Sequence, residues 1–494
     1  MNSIWKKIST LACAGVLLAG TCVFSGCADS AYDIAVKYGG FVGTEEEWLQ
    51  SLKGENGKDA EDIDIYDIYE AENAKSPISW EDFLKKYLTL NVNEQGDMQT
   101  IAKCTSSIVS VYCGFSKKEI GNQGFAVAVD ASAGSGVIVD LNKEAGNAYI
   151  ITNYHVLYNA EFDMISNHTY LYLYGARNHF SLLDSKGKRV IENGVQYETS
   201  DGYLDDGYTE DQIGDQDGDG IKATYVGGAM DYDIAILKVE GSEYLRNSAA
   251  TEATIGNSEE VTLGEKAYAI GNANALGIST TSGVISVESE YITMTATDGR
   301  DANNDGVKDE VRYRVMRTDA LINHGNSGGG LFNSKGELIG ITNAKNVEEE
   351  TEGIGYALPI TVAKNVMQNI LDNGDKKLHR AMLGVTTYIN ESVASLDENG
   401  KIKITETIVV TEAPTTKHSA YGKLQVNDII KSVTIGGKTT EITRNYQMSD
   451  LLLTVRKGDT ISITVLRNNK EAVGKTEVTE TVTFDKDEYF KIYG

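Results

Sequence analysis

The chain has 494 residues, with 45 Lys and Arg against 72 Asp and Glu, a net charge of −27. That length accommodates about three domains of ~150 residues. So acidic a surface repels phosphate backbones and argues against nucleic acid as a partner. Glycine is abundant at 50 residues and proline scarce at 3. β-Branched residues fall in short runs bounded by turns, which reads as a mainly β protein. The first element in chain order is a targeting signal. Lys6 and Lys7 precede an uncharged, mostly apolar run over residues 11–24. The run is shorter than the ~20 residues a spanning helix needs, so residues 1–27 read as a signal segment.

Phe24-Ser25-Gly26-Cys27 resembles the lipobox of bacterial lipoproteins, in which Cys27 is lipidated and becomes the mature N-terminus. The other reading is a plain secretory cleavage near Ala28. The lipoprotein reading puts the protein outside the cytoplasm, held on the cell membrane by its lipid. Residues 28–100 read as a helical spacer and linker. Thr44 is placed as an N-cap and Glu47 completes a capping box. The segment resembles a short module that recurs in bacterial and phage surface proteins. The collagen-like triplets over residues 54–59 are too few for a triple helix.

Cys104 and Cys113 lie beyond the signal region. An extended segment between them spans ~30 Å, against the ~6 Å a disulfide allows, so both read as unpaired and buried. From about Ile101 the pattern turns to strands, over residues 107–112 and 134–139 and then over 148–156, the strand carrying His155. Residues 160–222, rich in Tyr, Asp and Gly, read as an insertion loop or a hairpin. Strands follow at 261–263, 267–271 and 283–287. A second polar insertion covers 297–309, and further strands cover 311–315 and 337–342. About a dozen short strands fit two small packed barrels. A helix over 360–371, with Val362, Val366 and Ile370 at i, i+4 steps, closes the domain assigned to residues 101–378. Residues 379–494 form a third unit, in which 458–467 alternates with the period of a half-buried strand.

Three segments carry chemistry. Gly325-Asn326-Ser327-Gly328-Gly329-Gly330 puts a serine between glycines on a tight turn, with backbone N–H groups free to face an oxyanion. An apolar run over 148–154 leads into His155, and Asp233 opens a second apolar run over 234–239. His, Asp, Ser is the chain order of the chymotrypsin-type triad.

Taken together, Gly134-Ser135-Gly136-Val137-Ile138-Val139, Ile151-Thr152-Asn153-Tyr154-His155-Val156, Asp233-Ile234-Ala235-Ile236-Leu237, Ala269-Ile270-Gly271-Asn272 and Arg317-Thr318-Asp319-Ala320-Leu321-Ile322-Asn323-His324-Gly325-Asn326-Ser327-Gly328-Gly329 resemble the HtrA/Deg family of trypsin-like serine proteases. The resemblance implies a chymotrypsin-like double β-barrel over 101–378 followed by a PDZ domain over 379–494. It implies a serine endopeptidase acting on unfolded or extracytoplasmic proteins and peptides. Ser327 is then the nucleophile, His155 the general base and Asp233 the group that orients it, with Asp231 a nearby decoy. The N–H groups of Gly325 and Ser327 form the oxyanion hole. Leu321 lies at the base of the specificity pocket, where an apolar residue argues against a Lys or Arg preference. Met382, Leu383, Gly384 and Val385 resemble a PDZ carboxylate loop that takes ligands with free C-termini. Members of the family are often trimers, which leaves a homo-oligomer open. Gly330 and His324 stand where the family usually has proline.

The chemistry requires no cofactor. Two acidic loops nonetheless carry the opening spacing of a calcium loop, over residues 215–220 and 301–306. In the second, Asp301, Asn303, Asp305 and Asp309 are the candidate ligands of a structural calcium. A solvated acidic turn is the alternative for both loops. The alternative to an enzyme is a catalytically silent envelope binding or sensor protein on the same scaffold.

Overall fold

The computed structural model describes residues 93–494, apart from 122–123, 179, 184–188, 193–194, 197–212, 216–217, 302–304, 345–352, 399 and 469–473. The signal segment, Cys27 and the spacer through residue 92 lie outside the described residues, as do Asp217 and Asn303.

Helix α1 covers Asn93–Thr105, so the helical approach runs past the expected change at Ile101. Its end is anchored on the barrels. Cys104 is buried, with its thiol against the carbonyl of Gly336, and the Ser107 hydroxyl donates to the Cys104 carbonyl at 2.7 Å. Cys104 and Cys113 are both free and buried, as the spacing predicts.

Six strands follow: β1 (Ile108–Gly121), β2 (Gly124–Asn142), β3 (Asn147–Thr152), β4 (His168–Leu173), β5 (Ile221–Ala229) and β6 (Ile234–Val239). They close into a barrel in the order β1-β2-β3-β6-β5-β4. β4 corrects the sequence reading, because it lies inside the stretch 160–222 taken as one insertion. Five of its six residues are buried. Its tyrosine-rich composition hides that burial, since Tyr172 is buried while Tyr170 is not. Beyond it, Phe180–Leu183, Arg189–Glu192, Val195–Gln196 and Ile213–Asp215 build a separate four-stranded sheet.

The second sheet contains β7 (Lys266–Gly271), β8 (Ser279–Thr295), β9 (Glu310–Thr318), β10 (Gly330–Asn333), β11 (Glu337–Asn343) and β12 (Gly355–Pro359). Pairing runs β11-β10-β7-β8-β9-β12, and β12 pairs back on β11, which completes a ring. The double-barrel expectation is met. Residues 261–263 form no strand; Val261 is buried in a turn. β8 is far longer than the expected strand at 283–287, with register shifts on its path along β9. Helix α2 (Ile360–Asn373) buries Val362, Val366 and Ile370, the stripe its i, i+4 spacing defines.

The C-terminal residues have their own core around Leu383, Val410, Ile463 and Phe484. Strands Thr386–Leu396, Ile402–Glu412, Ile429–Ile435, Thr460–Asn468 and Lys475–Thr483 lie in that order in one sheet. Lys438–Glu441 pairs on Ile429–Ile435, and helix α3 covers Asn445–Leu452. In Thr460–Asn468, residues 461, 463 and 465 are buried, as the alternation requires.

Candidate active site

Register brings the first two groups together. β6 runs antiparallel to β3 with Ala235 opposite Thr152. The residue before β6 and those just after β3 therefore emerge at the same barrel rim. The first is Asp233; the second group is the short helix Tyr154–Leu157, which carries His155. Both strands are mostly buried, with apolar side chains facing both ways, so a register slip would strand several of them in water.

Asp233 is fully buried, at 0% exposure, and holds a left-handed conformation at φ 51°. A non-glycine residue in that region stores strain, which recurs at functional sites. Its Oδ2 accepts from His155 Nδ1 at 2.7 Å and from Asn343 Nδ2 at 2.8 Å. Its Oδ1 accepts from the His155 backbone N–H at 3.0 Å. Its carbonyl accepts from Asn153 Nδ2 at 3.0 Å. A carboxylate is acceptor-only, so Nδ1 carries the proton and Nε2 presents a lone pair. Asp231 is turned elsewhere and pairs with Arg300 at 2.6 Å.

The serine turn leaves the second barrel before β10. Gly325 and Gly328 both have positive φ, at 87° and 84°. A Cβ on Gly325 would come within 2.3 Å of the Asn272 carbonyl, and one on Gly328 within 2.1 Å of the Ser135 carbonyl. Both positions therefore require glycine for conformation and for space. Gly330 has a packing reason: a Cβ there would sit 2.3 Å from the Phe332 ring. Ser327 is buried at 5%, and its Oγ accepts from the Ala344 N–H at 3.1 Å. That bond uses an acceptor site of the hydroxyl and leaves its O–H free to donate. The N–H groups of Gly325 and Ser327 donate to no acceptor among the described residues.

Several contacts at this site escape sequence reasoning. Ser135 is fully buried, and its N–H donates to the Ser327 carbonyl at 2.8 Å. Its Oγ donates to the Gly325 carbonyl at 2.7 Å and accepts from the Asn272 N–H at 2.8 Å. Asn274 N–H donates to the His324 carbonyl at 2.7 Å. Nothing in local spacing marks Asn343, which follows an apolar run and reads as its polar end.

Leu321 is 54% exposed, with its carbonyl held by the Thr281 hydroxyl at 2.8 Å. Met382, Leu383, Gly384 and Val385 line a cavity of about 250 Å³ with Ile430, Met448 and Leu452, and Tyr291 of β8 also lines it. The loop is one donor shorter than its spacing implies, because Met382 N–H is already bonded to the Tyr489 carbonyl at 2.8 Å. Among the described residues no three His, Cys, Asp or Glu side chains converge as metal ligands. Asp301 is turned onto the N–H groups of Asp305 and Gly306, and Asp309 lies 3.6 Å from Arg300.

A trypsin-like peptidase domain profile matches residues 134–341. The Do-like serine protease HtrA of Lactococcus lactis subsp. cremoris is 26% identical over 422 residues, covering 81% of this chain and 86% of that protein. The serine endoprotease DegS of Escherichia coli is 30% identical over 270 residues, covering 54% of this chain and 68% of that protein. Among solved structures, the HtrA-type protease AlgW with a tripeptide aligns with a TM-score of 0.44 at 22% identity, covering 81% of this chain and 97% of that one. The chain belongs to the HtrA family of serine proteases and is a serine-type endopeptidase.

Proposed function

We propose that the chain cleaves unfolded or extracytoplasmic proteins through His155, Asp233 and Ser327. Ser327 Oγ attacks the scissile carbonyl carbon while its proton passes to His155 Nε2. The resulting oxyanion is received by the N–H groups of Gly325 and Ser327. His155 then gives its proton to the leaving amine, and a water repeats the cycle on the acyl-enzyme. The observation that carries this reading is the 2.7 Å bond between His155 Nδ1 and the buried Asp233, which leaves Nε2 as the base. Small or medium aliphatic residues precede the cut, because Leu321 offers no carboxylate to a basic side chain.

The C-terminal unit serves as a PDZ module in this reading. A ligand adds a strand along Thr386–Leu396, and its terminal carboxylate meets the N–H groups of Leu383, Gly384 and Val385. None of those three N–H groups has an acceptor among the described residues. A lipid on Cys27 holds the enzyme on the outer face of the cell membrane.

A second reading is favoured by one observation: among the described residues Ser327 Oγ is bonded to Ala344 N–H and not to His155. A serine that never engages that base makes a silent binding protein. Labelling with a fluorophosphonate separates the two. We expect labelling of the wild type, none of Ser327→Ala, and casein cleavage only by the former. A wild type that neither labels nor cleaves supports the silent scaffold, and cleavage by Ser327→Ala refutes the mechanism.

A further inference from the structure

The oxyanion hole proposed above depends on the direction of the N–H groups at Gly325 and Ser327. Each direction is set by the peptide plane in which the N–H lies. The Gly325 N–H belongs to the peptide whose carbonyl is that of His324, and this carbonyl is held by Asn274 N–H at 2.7 Å. The following peptide has the Gly325 carbonyl, and this is held by Ser135 Oγ at 2.7 Å. The Ser327 N–H belongs to the peptide whose carbonyl is that of Asn326, and this is held by Thr342 Oγ1 at 2.5 Å and by Gly329 N–H at 2.9 Å. The peptide after Ser327 has the Ser327 carbonyl, and this is held by Ser135 N–H at 2.8 Å. Ser135 thus grips the two peptides that flank the one carrying the Ser327 N–H.

Ser135 is itself fixed by its neighbours. Its Oγ accepts from Asn272 N–H at 2.8 Å, and its carbonyl accepts from Thr152 Oγ1 at 2.7 Å. Thr152 is the last residue of β3, next to the segment that carries His155. Asn272 opens the turn whose Asn274 holds His324. That turn contains two successive non-glycine residues with positive φ, Asn274 at 53° and Ala275 at 57°. Its side of the clamp is held by Asn272 Oδ1, which accepts from Gly277 N–H at 2.8 Å. Strained backbone persists only where its surroundings over-determine it.

The geometry points to Ser135 as a positioning residue that pre-organises the oxyanion hole, acting through the Gly325 and Ser327 carbonyls. The inference rests on the triad reading above. A hydroxyl is needed for it. Oγ must donate to one carbonyl and accept from one N–H at the same time, with no exposure to water. Alanine at this position leaves both partners buried and unbonded and frees the Gly325–Asn326 peptide, which lies between the two that carry the Gly325 and Ser327 N–H groups, to rotate.

The test uses the full chain as wild type, Ser135→Ala, Ser135→Cys and Ser327→Ala. The readouts are kcat and KM on an internally quenched peptide, affinity for a peptide boronate of the same sequence, and affinity for the matching product peptide. The boronate adduct places an oxygen in the hole, whereas the product peptide does not require it. We expect Ser135→Ala to lower kcat by ~10- to 100-fold, the scale of a small misplacement of a reacting group. Boronate affinity should fall by the same factor, with KM and product affinity within about twofold. Ser135→Cys keeps the packing with a weaker donor and should fall between the two. If Ser135→Ala does not fold, as read by near-ultraviolet circular dichroism, Ser135→Cys carries the same comparison. Wild-type boronate affinity in a folded variant, or equal losses for boronate and product peptide, overturns the role of Ser135. Activity surviving in Ser327→Ala instead overturns the triad reading and this inference with it.

Discussion

Asp233 gathers donors from three separate places: the His155 ring, the His155 backbone and the Asn343 amide. In the proposed mechanism it holds one imidazole tautomer, which predicts a large effect from a small change. Asp233→Asn should lower kcat by about 10⁴-fold, as in comparable triads, while the protein stays folded. Asp231→Asn should retain near wild-type kcat/KM, because its carboxylate serves Arg300 instead. A steady-state comparison of the two decides between the neighbouring aspartates. Specificity also belongs to this scale. Mass-spectrometric mapping of casein fragments should show aliphatic or small residues before the cut, since Leu321 carries no charge. A preponderance of Lys or Arg there would remove Leu321 from the pocket.

The hairpin of β8 and β9 does more than close the second ring. Arg314 of β9 is buried between Glu259, at 3.0 Å, and Asp450 of helix α3, and it stacks 3.5 Å over the Tyr446 ring. Arg444, just before α3, reaches Glu288 of β8 at 3.0 Å. Two arginines thus tie the protease hairpin to the C-terminal helix. Removing one partner of a buried pair leaves the other charge uncompensated, so Arg314→Ala should cost ~3–5 kcal/mol, read by denaturant unfolding. The Asp450 carboxyl is pushed up to about 7 by burial, against the pull of Arg314. A raised acid pKa means the folded state holds that proton more tightly than the unfolded chain. The contribution of Asp450 to stability is therefore complete below its ordinary value of 3.8 and is lost as pH rises through about 7. Melting temperatures should show that decline, and Asp450→Asn should flatten it. A wild-type profile that rises over the same window contradicts the assignment.

For the whole molecule, the short apolar run before Cys27 motivates one more test. Wild-type protein should partition into the detergent phase, and Cys27→Ala should shift to the aqueous phase or stay unprocessed; unchanged partitioning rules out the lipid. What the chain declares by itself is what local pattern can encode. Strongly apolar strands end on His155 and open after Asp233, and the glycines around Ser327 mark a turn where side chains have no room. Those residue types and their order determine the double barrel and single out the three residues proposed to do the chemistry. Local pattern is silent where contacts depend on barrel closure. Asn343 meets Asp233 across 110 positions, and Ser135 meets Gly325 across 190. The strand β4 hides in a tyrosine-rich stretch because its burial comes from partners on β1 and β5, not from its own composition. Which turn faces which carbonyl, and that Tyr291 of the protease lines the C-terminal cavity, follow from register and packing between distant segments. Only the tertiary structure decides them, because a polar residue at a strand end looks the same in sequence whether it meets water or a buried carboxylate.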